Sequence, residues 1–236
     1  MIKKICILII VSMSFFFVGC DSDTDKRISE KSFNNELVKF SENPIQVFNI
    51  DPVSNESTLN RDAFENLIEY VNELGVKYDF QESIEVSGDY ASIDESFAYM
   101  GYYETMEFLA KNSTPEFYNN VIHLINTDVP LENNKIINST AMLPNERLAL
   151  IVLNNSFGIG TDKVEQGLFK SSASGCVDTY NSAMGVCRNN LLIKAATTLV
   201  FTRIHPLLGV AAGLATAIDH DTCTSQAFSA LLSCLN

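Results

Sequence analysis

The cysteines are the residues with the clearest chemistry in this chain of 236 residues. Four of the six lie in the last third, and Cys176 is as far from Cys187 as Cys223 is from Cys234, at 11 residues each. An even number of cysteines in an exported chain indicates disulfides, and four cysteines permit three pairings. If the chain is exported, its last third is therefore predicted to carry two disulfides.

Helix geometry selects one of the three pairings. Eleven residues return a helix to within about 20° of the same face, about 16 Å further along its axis, whereas a disulfide joins Cα atoms about 4.4–6.8 Å apart. Helical segments therefore exclude Cys176–Cys187 and Cys223–Cys234. In an antiparallel hairpin, paired positions have a constant sum of residue numbers, which Cys176–Cys234 and Cys187–Cys223 both satisfy. The crossed pairing needs parallel segments, which a short turn cannot connect.

The turn of this hairpin is predicted at His205 and Pro206, the centre of the cysteine register. Proline disfavours helix at the preceding residue and lacks a backbone N–H, so a chain reversal is expected there. The same register places Lys194 within one turn of the position opposite Asp219. The hairpin is therefore expected to contain an ion pair between its two arms.

The arms of the hairpin are almost wholly apolar or small over residues 191–218. Gly209, Gly213 and Ala217 form a ridge of small residues, which is expected to allow close approach of the two arms. Each apolar arm is only about 14 residues long, which is short for a membrane span. We therefore expect the hairpin to dock its apolar face on the rest of the chain. The alternative is a membrane-active hairpin released by proteolysis near residues 170–175.

The N-terminus has the pattern of a targeting segment. Lys3 and Lys4 precede an apolar run over residues 5–18, which is shorter than a membrane span and has the basic front of a secretory signal. The sequence Phe17-Val18-Gly19-Cys20 resembles the lipobox of bacterial lipoproteins, with Phe17 where that family usually has Leu. The resemblance covers about 20 residues and implies that residues 1–19 are a signal peptide and that Cys20 is lipidated. An ordinary signal peptide or an uncleaved anchor is the alternative.

An acidic segment follows Cys20, and residues 20–27 are interpreted as a tether. Acyl chains on Cys20 would give stable membrane attachment, because two chains anchor where one is marginal. The expected location is the cell envelope, at the outer membrane of a Gram-negative bacterium. Acidic residues after the lipidated cysteine resemble a surface-export signal in some lipoproteins and an inner-membrane retention signal in others, so the periplasmic and surface-exposed sides both stay open.

Charge divides the chain into three parts. Residues 1–20 carry +2, residues 21–170 hold 11 basic and 26 acidic residues for −15, and residues 171–236 are neutral, which gives the total of −13. An acidic chain lacks the basic surface that binds phosphates, so nucleic acid is excluded as the main partner. The membrane, through Cys20, and an unidentified protein are the expected partners.

The acidic middle, residues 28–170, is predicted to be a mostly helical domain. The predicted fold class is therefore mainly α. The acidic helical domain is followed by a linker at residues 171–175 and a disulfide-stapled antiparallel helical hairpin at residues 176–236. Hydrophobic periodicity and capping residues predict five helices in this part of the chain. They are residues 26–42; Leu59 to Leu74, capped by Thr58 or Asn60 and ended by Gly75; a helix starting at Ser92; Thr114 to Asn126 with Pro115 in its first turn; and a helix from Leu143 that Gly158 and Gly160 break. Residues 44–57 are predicted irregular, 76–86 loosely extended and 128–143 a loop.

No catalytic motif, phosphate loop or paired-cysteine metal site is present in the sequence. Asp219, His220 and Asp221 have the residue types of metal ligands, but neighbouring residues on a helix point in different directions, and Cys223 belongs to a predicted disulfide. We expect neither a metal nor a cofactor. The first hypothesis is a non-enzymatic, lipid-anchored cell-envelope protein that binds a partner; the alternative is the precursor of a bacteriocin-like, membrane-active hairpin. A hydrolase would need a cleft that gathers carboxylates with shifted pKa values.

Overall fold

The computed structural model describes residues 22–50, 57–78, 100–158, 174–201 and 206–235, and within these it is mainly helical. The predicted fold class is confirmed. In chain order, the elements are α1 (Ser22–Glu42), β1 (Phe48–Ile50), β2 (Ser57–Leu59), α2 (Arg61–Lys77), α3 (Tyr102–Asn112), α4 (Pro115–Thr127), α5 (Asn133–Ile137), α6 (Pro144–Ser156), α7 (Ser174–Phe201) and α8 (Pro206–Leu235).

The chain divides into two compact units, Met1–Glu36 and Leu37–Asn236. In the first unit, α1 begins at Ser22, so the helix predicted over residues 26–42 starts four residues earlier, within the predicted tether. The second unit holds both the acidic helices from Leu37 onward and the whole hairpin. Of the predicted linker, Ser174 and Gly175 belong to α7, and residues 171–173 lie outside the described residues.

Helix α2 begins as predicted and ends later. The Asn60 side chain accepts a hydrogen bond from the backbone N–H of Ala63 at 3.1 Å, and the predicted apolar stripe is buried. The prediction that Gly75 ends the helix is wrong, because Gly75 is a buried helical residue and α2 runs on to Lys77. The backbone N–H of Tyr78 then bonds the Leu74 carbonyl at 3.0 Å. The expected extended segment therefore does not begin at residue 76, and residues 79–86 lie outside the described residues.

Two short strands replace the irregular structure predicted over residues 44–57 and extend two residues beyond it. Leu59, which was predicted to be in the helix, is the last residue of β2. Strands β1 and β2 are antiparallel, with Phe48 opposite Leu59 and Ile50 opposite Ser57. The backbone of Val47, just before β1, bonds to two other parts of the chain. Its N–H donates to the Ser156 carbonyl at 3.1 Å, and its carbonyl accepts from the Asn60 N–H at 2.8 Å. The segment that leads into β1 therefore links the end of α6 to the start of α2.

The starts of α4 and α6 follow the sequence signals. Thr114 caps α4 through its hydroxyl, with Pro115 in the first turn, and α6 begins at Pro144. Gly158 has a φ of 62°, in the left-handed region where glycine ends a helix without strain. The predicted loop over residues 128–143 contains the short helix α5, whose Ile136 and Ile137 are buried. The helix starting at Ser92 lies in part outside the described residues, and α3 begins at Tyr102.

Helix α7 supplies the centre of the second unit. Its residues 191–200 are all buried, and α7 packs against α8, α6, α3 and α4. A helix at the protein surface has one apolar face, whereas a helix that is buried on all sides is apolar on all sides. The apolar run of the first arm is therefore explained by burial within the protein, as expected for a docked hairpin.

Candidate functional site

Two disulfides join α7 to α8 in the predicted pairing. Cys176 bonds Cys234 and Cys187 bonds Cys223, with Cα atoms 5.8 and 5.7 Å apart. The pairing makes α7 and α8 antiparallel, as the constant sum requires. Pro206 is the first residue of α8, a position where its missing N–H breaks no bond. The other predicted turn residue, His205, and the predicted lipidation site, Cys20, lie outside the described residues.

The predicted ion pair between the arms is present. The Lys194 ammonium donates to a carboxylate oxygen of Asp219, and the Lys194 side chain is only 9% exposed while that of Asp219 is 47% exposed. A buried charge is costly unless it is paired, so Asp219 compensates for the burial of Lys194. The pair therefore helps to hold α7 and α8 in register on the turn side of the two disulfides.

One residue of the small-residue ridge, Gly213, faces a different helix from the one expected. A Cβ atom at Gly213 would lie 3.3 Å from Cγ1 of Ile68 and 3.6 Å from Cε1 of Phe64, both on α2. Gly213 thus allows α8 to approach α2, and the expectation that this ridge serves the contact between the two arms is wrong at Gly213. A second connection of α8 to α2 is the Arg61 guanidinium, which donates to Asp221 Oδ2, with Nε at 2.9 Å.

The hairpin has a buried part and an exposed part, which we call the stapled ends: residues 175–186 of α7 and 222–235 of α8. Within the stapled ends, Val177, Ala227 and Leu231 are the buried side chains. Cys187, at the border between the two parts, is 2% exposed. The Cys176–Cys234 bond therefore lies within the stapled ends, where few side chains are packed, and the Cys187–Cys223 bond lies where they meet the buried part. Because a disulfide restrains the unfolded chain rather than adding contacts, it can hold such a thin element together.

His220 lies on the inner face of α8 against the small sheet. Its ring meets the Phe48 ring edge-on, with centroids 5.9 Å apart, and its Nδ1 is 4.0 Å from Asp221 Oδ1 without a hydrogen-bond partner among the described residues. Burial lowers the pKa of His220 below its ordinary value, and the Asp221 charge opposes this shift in part. The described residues hold no cluster of three His, Cys, Asp or Glu side chains that could bind a metal ion.

The buried carboxyl group of Glu146, whose pKa is raised, has a structural role. Glu146 is buried, accepts hydrogen bonds from the backbone N–H and the hydroxyl of Thr114 at 2.6 and 2.7 Å, and accepts a third from the Leu143 N–H at 2.9 Å. Burial raises its pKa, and the hydrogen bonds from Thr114 and Leu143 oppose the rise. Glu146 therefore caps α4 and α6 at once. The sequence signal for this was its place three residues after Leu143, as in a capping box.

An open groove of about 500 Å³ lies along the outer face of α8 beside Arg61. Its lining is mostly hydroxyl and amide side chains, and its two charged groups, Arg61 and Asp221, are paired with each other. The remaining lining residues are Ile218, Thr222, Ser225, Gln226 and Ser229. The groove thus offers hydrogen-bonding groups and one apolar side chain, and it gathers no pair of carboxylates.

Comparisons with protein families, with curated protein sequences and with solved structures find nothing similar to this chain. Within the described parts of the chain, none of the helices has the length and apolar character needed to cross a membrane.

Proposed function

We propose that the protein is a non-enzymatic, lipid-anchored cell-envelope protein that binds a protein partner with the stapled ends of its hairpin. The observation that carries this proposal is the position of the two disulfides. They hold together the stapled ends, whose side chains are mostly exposed. A rigid exposed element loses little conformational entropy on binding, which favours affinity.

The disulfides also support the proposed location. Disulfides form and persist in oxidising compartments outside the cytosol. The basic and apolar N-terminus ending in Cys20 is the matching export and anchoring signal in the sequence. The membrane attachment is tested by feeding a bacterial host an alkyne-tagged fatty acid. Label should appear on the wild type and on Cys6→Ser, and be absent from Cys20→Ser. Equal labelling of both variants would contradict lipidation at Cys20.

Burial of residues 191–200 supports a hairpin that stays part of the folded chain rather than one released by proteolysis. Extracting this segment would expose an apolar surface that α3, α4 and α6 now cover in part. Mass spectrometry of the protein from cells separates the two hypotheses. An intact chain from Cys20 to Asn236 is expected, whereas a fragment beginning near Gly175 would favour the bacteriocin-like precursor.

Partner binding is tested by photo-crosslinking in intact cells. A benzophenone amino acid replaces Val186, which is 64% exposed on the stapled ends, or, as the matched control, Val76, which is 70% exposed on α2. Position 186 should form a discrete protein adduct that position 76 does not form. Identical adduct patterns at the two positions, or none at either, would refute binding through the stapled ends.

A further inference from the structure

We propose that the outer face of α8 pairs with the same face of a second copy of this chain. This inference rests on the proposed function and deepens it, since it names the partner of one face of the hairpin. Four large apolar side chains of α8 are between 43% and 50% exposed: Ile218, Phe228, Leu232 and Leu235. Large apolar side chains grouped on one face of a surface helix are typical of an interaction site.

The spacing of these side chains fits another helix. Ile218, Ser225 and Leu232 are seven residues apart, as are Asp221, Phe228 and Leu235, and the two series are offset by three. This is the a and d pattern of a heptad repeat, the pattern by which two helices pack side by side. A polar residue at one such position sets the register of pairing at some cost in stability. Asp221 is such a residue, and it is paired with Arg61. We call these six positions the outer stripe.

Charge favours a second copy as the occupant. Residues 222–235 contain no charged side chain, although the chain as a whole carries −13. Two copies repel each other over most of their surface, so they can meet where no like charges are placed opposite each other. In a twofold contact the same patch serves both copies. Four positions of the outer stripe are large and apolar, Ser225 is uncharged, and the charge of Asp221 is paired with Arg61 in its own copy. A bilayer surface is a poorer match, because interfacial helices use Lys and Arg against anionic lipids and this segment has none.

The size of the outer stripe indicates a reversible contact. Its 18 residues extend over about 27 Å, and a helix is about 10–12 Å wide, so each copy contributes on the order of 300 Å². A stable interface of standard size uses about 800 Å² per partner. The pairing is therefore weak in dilute solution, and it strengthens where a shared membrane anchor raises the local concentration of the chain.

Photo-crosslinking at Phe228 identifies the occupant. Two differently tagged full-length copies, each with a benzophenone amino acid in place of Phe228, are co-expressed and irradiated in cells. The expected adduct carries both tags and has twice the monomer mass. Adducts to lipid, adducts only to other proteins, or no adduct would overturn the proposal. These outcomes are independent of the result at Val186, which tests the proposed function.

Sedimentation equilibrium of the full chain in mild detergent measures the pairing. Phe228→Glu and, separately, Leu235→Glu should each raise the dimer dissociation constant at least about tenfold, since each places two like charges in the contact. Ala230→Glu is the control, because it adds the same charge to an exposed residue of α8 that lies outside the groove, about 160° away from Phe228 around the helix. A monomeric wild type, or a dimer that tolerates both stripe substitutions, would overturn the proposal.

Discussion

Removing the outer disulfide should release the stapled ends while the buried part of the hairpin stays folded. The change is Cys176→Ala together with Cys234→Ala, which leaves Cys187–Cys223 in place. Within the stapled ends, Val177 and Leu231 are the large side chains that are buried. The two ends can therefore separate beyond the inner disulfide without disturbing residues 191–200, which pack against other helices.

The size of the effect follows from the nesting of the two loops. The inner disulfide closes a loop from Cys187 to Cys223, so the outer bond restrains only the 11 further residues of each arm, 176–186 and 224–234. The chain-entropy relation gives about 3 kcal/mol for a loop of roughly 24 residues. That free energy corresponds to a factor of about 150 in the equilibrium between closed and open ends.

Amide hydrogen exchange measured segment by segment tests this result. Peptides from residues 224–235 should lose up to about two orders of magnitude of protection in the variant, and peptides from residues 191–200 should exchange as in the wild type. The matched variant, Cys187→Ala with Cys223→Ala, removes the bond next to the buried part and should raise exchange there as well. Unchanged protection of residues 224–235 without the outer bond would show that packing, and not the disulfide, holds the ends.

Three further predictions concern the helix contacts and the buried titratable groups. In chemical denaturation, Gly213→Leu should lower the free energy of unfolding by about 1–3 kcal/mol, because the new side chain would collide with Ile68. Gly185→Ala should instead raise the free energy of unfolding by about 0.5–1 kcal/mol, because the new Cβ atom would have no neighbouring atom within 4 Å. Equal effects at the two glycines would contradict the close approach of α8 to α2. Because the pKa of His220 is lowered in the folded chain, the unfolded chain binds more protons than the folded chain as the pH falls below 6.5, and the free energy of unfolding decreases. His220→Gln should flatten the dependence of the free energy of unfolding on pH between pH 7 and 5. A variant with the same slope as the wild type would refute this role of His220. Glu146→Ala should cost about 2–4 kcal/mol in urea unfolding, because buried N–H groups lose their acceptor, and a cost below about 1 kcal/mol would rule out the double-cap role.

The disulfide register was predictable because covalent geometry leaves few solutions. Equal spacings within two helical segments exclude two of the three pairings, and Pro206 lies where the register needs a break. The Lys194–Asp219 pair follows from the same register. Helix starts at Asn60 and Thr114 were predictable for a similar reason, since a capping side chain acts on N–H groups only three residues away.

Contacts that depend on a third element were not predictable from the sequence. Gly213 belongs to a ridge that fits either neighbour, and only the packing of α8 on α2 decides which one it meets. Gly75 has the residue type that ends helices, yet the helix continues through it to Lys77, with Gly75 buried. Strands β1 and β2 have three residues each, too few for a period of two to be recognised. The burial of Glu146 depends on Thr114, which is 32 residues away in sequence.

The late position of α7 in the chain has a consequence for the order of folding. Its buried residues 191–200 contact helices that were made long before, and the Arg61–Asp221 bond joins residues 160 positions apart. A growing chain emerges from its N-terminus, and contacts between distant residues form slowly. The apolar faces of α3, α4 and α6 therefore stay uncovered until nearly the whole chain has emerged. During that interval the uncovered apolar surface makes the early helices prone to aggregation, and a truncation before residue 191 would leave that surface uncovered.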